Sequence, residues 1–77
     1  MSVSVSQCRG IAYDYMRANM EFEGKCICMP KAYKEEKQGR IVEVRYRETY
    51  LVMQLLIRDC GVVEVLKDRQ EIIARIM

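Results

Sequence analysis

Cys8, Cys26, Cys28 and Cys60 have the widest chemical repertoire in this sequence, because it contains no histidine. Thiolates are nucleophiles and soft metal ligands. A structural zinc held without imidazole needs four thiolates in a tetrahedron, and the count of four cysteines fits that. The spacing does not fit. Cys26 and Cys28 are one residue apart, Cys8 and Cys60 stand alone, and zinc pairs are separated by two residues or more. If Cys26 and Cys28 lie on a strand, they share a face without good disulfide geometry. The expectation is therefore reduced thiols with no metal and no other cofactor. Cys8 packs in a helix stripe, and the others fill small buried sites. A reactive Cys60 in a turn has Arg58 nearby to favour its thiolate, but Asp59 opposes that.

The missing histidine also removes the commonest general acid–base group. No nucleophile elbow, glycine-rich phosphate loop or paired-carboxylate motif is present. No catalytic residues are assigned, and the chain is expected not to be an enzyme.

Cations form the second constellation. Between residues 25 and 47, Lys25, Lys31, Lys34, Lys37, Arg40, Arg45 and Arg47 outnumber Glu35, Glu36 and Glu43, in a chain whose net charge is only +2. Lys31, Lys34, Lys37, Arg40, Arg45 and Arg47 are the candidate nucleic-acid contacts. Arg45 and Arg47 are expected on one strand face, with the lysines in a neighbouring loop and Tyr33 and Tyr50 as stacking surfaces. A basic sheet face with aromatics is how several small β modules hold RNA or single strands. The competing reading is a solvated face whose arginines pair with Glu43 or Glu48.

The third constellation is apolar. Tyr50 to Ile57 is apolar on both strand faces apart from Gln54. Leu51, Met53, Leu55 and Ile57 would form one row, and Tyr50, Val52 and Leu56 the other. Such a strand is either covered on both sides or part of an interface. Tyr50, Leu51, Met53 and Leu55 are the candidate interface residues. Six methionines add adaptable apolar surface.

These groups need elements to position them. Residues 6–22 read as a helix capped by Ser6 and stopped by Gly24. Cys8, Ile11, Ala12, Tyr15 and Phe22 make one apolar stripe, and Tyr13, Met16 and Met20 a second. Gly10 weakens the first turn by about 1 kcal/mol. Residues 25–29 read as a short strand ended by Pro30, and Lys31 to Gly39 as an exposed loop. Ile41 to Arg47 alternates as a strand, with Val42, Val44 and Tyr46 facing one way. Residues 50–57 form the next strand, although a buried helix over 48–58 has the same composition. Asp59-Cys60-Gly61 marks a turn and Val62 to Leu66 a further strand. Asp68 and Glu71 resemble a capping box ahead of a short C-terminal helix, with a strand over Glu71 to Ile76 as the alternative.

The chain of 77 residues is enough for a single domain over 1–77. No apolar run reaches the roughly 20 residues of a membrane span. The N-terminus lacks a basic region followed by an apolar run, so no signal peptide is expected and the expected location is cytoplasmic. The expected fold is α+β: an N-terminal helix on a small antiparallel sheet. A leading helix followed by short twisted strands also resembles the pattern of SH3-like or Sm-like partial barrels. The expected function is a non-enzymatic protein-interaction or regulatory module, acting as a homo-oligomer or with a protein partner. Binding of RNA or single strands is the alternative. A chain this short has a thin core and gains much from a partner subunit.

Overall fold

The computed structural model describes residues 2–19 and 26–68. One helix, α1 (Val5–Asn19), is followed by four strands: β1 (Cys26–Lys34), β2 (Gly39–Tyr46), β3 (Tyr50–Arg58) and β4 (Val63–Asp68). The strands pair antiparallel in the order β1-β2-β3-β4. Each strand therefore neighbours the next in sequence, and among the described residues the sheet is open, with β1 and β4 as its edges. The expected α+β architecture of a helix on a small antiparallel sheet is what forms, and the barrel alternative is not. The expected C-terminal element lies outside the described residues.

α1 is capped by Ser4, two residues before the predicted Ser6 cap. The Gln7 N–H donates to Ser4 Oγ at 3.2 Å, and the Ser4 N–H donates to Gln7 Oε1 at 3.0 Å. That reciprocal pair is a capping box, which satisfies two backbone donors at once. The Ser4 carbonyl also accepts the first helical bond, from Cys8 N–H at 3.0 Å. Cys8, Ala12 and Met16, spaced by four, form the line buried against the sheet. Ile11, Tyr13 and Tyr15 flank it, half-buried. The buried line thus draws on both predicted stripes. Met20, Phe22 and the predicted Gly24 stop fall outside the described residues.

The sheet departs from the sequence pattern at three bulges, each of which re-aims side chains. β1 does not end at Pro30. It runs through it to Lys34, with the register shifting between Pro30 and Tyr33. Proline is tolerated there because β1 is an edge strand, where a missing N–H need not break a ladder. The predicted loop over 31–39 shrinks to a 3-10 turn, Glu35–Lys37, and a left-handed Gln38 with φ of 52°.

The second bulge lies in β3. Val44 pairs with Met53, but Arg45 pairs with Leu51, so Val52 is an extra residue against β2. Val52, Met53, Leu55 and Ile57 consequently all join the core under α1. Leu51, Gln54 and Leu56 take the opposite face. The strand reading of residues 50–57 holds, and the helix alternative does not. The two rows expected from strict alternation are replaced by the bulged arrangement. The third bulge is in β4, where Leu55 pairs with Val65 and Gln54 with Lys67, leaving Leu66 extra.

Two hairpin turns differ in their chemistry. At Asp59-Cys60-Gly61, Gly61 supplies φ of 92° and the Arg58 N–H bonds the Val62 carbonyl at 2.9 Å. This three-residue loop suits its glycine. The β2–β3 turn instead places Arg47 and Glu48 at φ of 53° and 64°, both left-handed, with Thr49 N–H donating to the Tyr46 carbonyl at 3.2 Å. That is the backbone of a primed hairpin turn without its usual Asn-Gly.

Gly39 is needed for close approach rather than for a special φ. It faces Arg58, and a Cβ there would lie 2.4 Å from the Ile57 carbonyl oxygen and 2.9 Å from Arg58 Cα. Backbone cannot swing aside as a side chain can. Gly39→Ala is therefore expected to cost about 1–3 kcal/mol through overpacking. Thermal melting checks it, with a fall of about 4–8 °C expected for each kcal/mol in a domain of this size. An unchanged melting temperature would show that β2 and β3 are not in this register.

Candidate interaction surface

The thiols are the most reactive groups in the chain. Cys8, Cys26 and Cys28 are buried and free, and Cys60 is exposed. Cys26 and Cys28, two apart on β1, both point at α1 into one core cluster with Cys8. Burial pushes the Cys28 thiol up to about 12, with the neighbouring Cys26 and Cys8 adding to the rise and Arg9 opposing it. Burial also raises Cys26 and Cys8, the latter against the pull of Arg40 and Arg9. These three are core-filling thiols held protonated. No group of three or more potential metal ligands converges among the described residues.

The basic residues do not converge either. Lys34 and Lys37 are exposed beside the β1–β2 turn, whereas Arg45 and Arg47 sit by the β2–β3 turn. β2 separates those ends by about 23 Å, at roughly 3.3 Å per residue. Arg47 is not on the strand face with Arg45, as expected from alternation. Its left-handed backbone takes it into the turn, where its guanidinium lies 5.1 Å from the centre of the Tyr46 ring. Glu43 sits between Lys31 and Arg45 and pairs with both, at 3.4 Å and 3.2 Å. Arg45 also donates to the Thr49 carbonyl at 3.3 Å. Arg40 is half-buried and donates to the Lys31 carbonyl at 2.8 Å, while its Nε is buried without a hydrogen-bond partner among the described residues. Tyr33, expected as a stacking surface, donates its hydroxyl to Asp59 Oδ2. Asp59 Oδ1 accepts the Val3 N–H at 2.8 Å. These bonds, the Tyr33 one foremost, hold the Asp59 carboxyl below its ordinary range, and the shared proton holds the Tyr33 phenol above its own. The cluster ties the N-terminal segment, β1 and the β3–β4 turn together.

Of the expected interface residues, Met53 and Leu55 are 2% and 0% exposed, so both belong to the core and not to a surface. The bulge at Val52 is the physical reason, because it turns both onto the sheet face that α1 covers. Leu51 is half-buried on the opposite face, and Tyr50 is exposed at the sheet end, 6.5 Å from the Tyr46 ring.

The sheet face opposite α1 is where sequence reasoning fell short. By register it carries Ile27, Met29, Ile41, Glu43, Arg45, Leu51, Gln54 and Leu56. Among the described residues no helix covers it. Leu56 is buried at 1% exposure, Ile27, Ile41 and Leu51 are half-buried and Met29 is exposed, and a shallow depression runs between Ile27, Met29, Lys31, Arg45 and Glu48. On the outer strand β4, Val65 and Leu66 are exposed as well, Val65 on the α1 side by its pairing with Leu55. The signal was present in Ile27, Met29 and Ile41, apolar residues on what alternation makes the outward face. No family model matches this chain, and neither a curated protein nor a solved structure matches it.

Proposed function

We propose that this protein is a small non-enzymatic interaction module that works as a homo-oligomer. The observation that carries this reading is the apolar surface left exposed among the described residues. α1 covers the core on one sheet face; on the other, Leu56 is buried but Ile27, Met29, Ile41 and Leu51 keep apolar surface in water, as do Val65 and Leu66 on β4. Burying such surface against another chain contributes roughly 25 cal/mol per Å². The central charges on that face are neutralised in place, because Glu43 serves both Lys31 and Arg45. A face of this kind suits protein contact better than phosphate contact. The scattered cations support the RNA or single-strand alternative less well, since no described stripe links Lys34 and Lys37 to Arg45 and Arg47.

Size exclusion with light scattering at tens of micromolar tests the proposal, and a mass above one chain is expected. A strictly monomeric protein overturns it. Salt-sensitive binding of a mixed RNA pool, lost on Arg45→Glu with Arg47→Glu, would favour the alternative instead.

A further inference from the structure

The two edges of the sheet are unlike. An edge strand offers unpaired backbone groups to any other strand, and folded proteins blunt such edges. β1 is blunted: Pro30 has no N–H, the register shifts just beyond it, and the Cys28 N–H is taken by Tyr13 Oη at 3.2 Å. β4 contains no proline, and Val65 and Leu66 are 43% and 38% exposed. Its guards are one lysine and one bulge.

That bulge changes what the charges on β4 do. In a regular strand Glu64 and Lys67, three residues apart, would point to opposite faces. Here Glu64 pairs with Leu56 and Lys67 with Gln54, and those two β3 residues share the face opposite α1. Glu64 and Lys67 therefore share it too, one on each side of the exposed Val65 and Leu66. Glu64 already accepts from Arg58 at 2.9 Å, and its carboxylate has room for a second donor. Lys67 has no ion pair among the described residues.

We infer that the outer edge of β4 pairs antiparallel with β4 of a second copy. The register sets Glu64 of each chain opposite Lys67 of the other. It rests on the homo-oligomer reading above and assigns the contact within it. Two opposite charges on one face, reversed by a two-fold axis normal to the sheet, meet as two identical ion pairs, with Val65 and Leu66 between them. Opposite charges directly across a strand pair stabilise it, and like charges destabilise it. The same lysine that repels a foreign basic edge is thus matched by its own copy. The two four-stranded sheets become one, and the faces opposite α1 lie side by side on it.

Charge reversal tests the register. Glu64→Lys and Lys67→Glu each put like charges across both contacts, so each variant alone is expected to lose about tenfold or more in dimer affinity. Mixed, the two restore both pairs, and a heterodimer of wild-type mass is expected by sedimentation. Hydrogen exchange on the unaltered chain gives a second readout, with β4 amides gaining protection as concentration rises. Single variants that keep the wild-type dimer mass, a mixture that stays monomeric, or β4 protection that ignores concentration would overturn this contact. The first and third results, with a dimeric wild type, leave the homo-oligomer reading standing on another surface. A monomeric wild type removes both.

Discussion

Leu55→Ala lowers the unfolding free energy by about 2–5 kcal/mol, and Leu51→Ala by about 1 kcal/mol or less. The two leucines lie four residues apart on β3, and strict alternation would give them one environment. The bulge at Val52 separates them. Leu55 is 0% exposed, in one buried cluster with Val42, Val44 and Met16 of α1, whereas Leu51 is half-buried on the face opposite α1. Truncating Leu55 removes its transfer free energy and leaves a cavity in a packed interior. Truncating Leu51 removes contacts that water partly replaces. A domain of this length has roughly 4–12 kcal/mol of stability in total, so Leu55→Ala takes a large share of it. Urea denaturation measures both. Equal losses would mean that β3 is not bulged at Val52 and that the two leucines share a face.

In the native protein one thiol reacts fast with an aromatic disulfide reagent at pH 8, and four react in denaturant. The fast one is Cys60, exposed in the β3–β4 turn. Only thiolates attack such reagents. Cys28, pushed up to about 12 by burial, holds roughly one thiolate in ten thousand at pH 8. A free thiol in solution is about a quarter ionised there. The deficit is about a thousandfold, and burial of the sulfur adds to it. Cys8 and Cys26 are raised and buried in the same core, so they follow the same course. The slow phase then reports opening of α1 from the sheet rather than thiol chemistry. Two or more fast thiols in the folded protein would show that α1 does not cover β1 in solution.

Much of the fold was legible in the sequence because the signals were local and periodic. The apolar spacing of α1, the alternation of Val42, Val44 and Tyr46, and the Asp59-Cys60-Gly61 turn each follow from a few neighbouring residues. The errors share another character. Pro30 reads as a strand end unless one knows that β1 is an edge. Ser6 reads as a cap as plausibly as Ser4, and only the reciprocal bond with Gln7 separates them. Arg47 reads as a strand residue unless the tight turn after Tyr46 is known. The candidate site was legible as composition but not as place. The cations were visible as an excess, yet the length of β2 divides them and Glu43 neutralises their centre.

The sequence by itself determined the kinds of element, their order, the apolar identity of the core and the want of histidine-based chemistry. Those properties reside in residue types and in spacings of two, three and four along the chain. Only the tertiary structure decided which strands are edges, where the extra residues at 31–32, 52 and 66 fall, and hence which face each later side chain takes. A bulge is a mismatch between two paired strands, so it exists only once their register is set. One extra residue reverses the facing of everything after it. For that reason Met53 and Leu55 lie in the core, and Glu64 and Lys67 share a face.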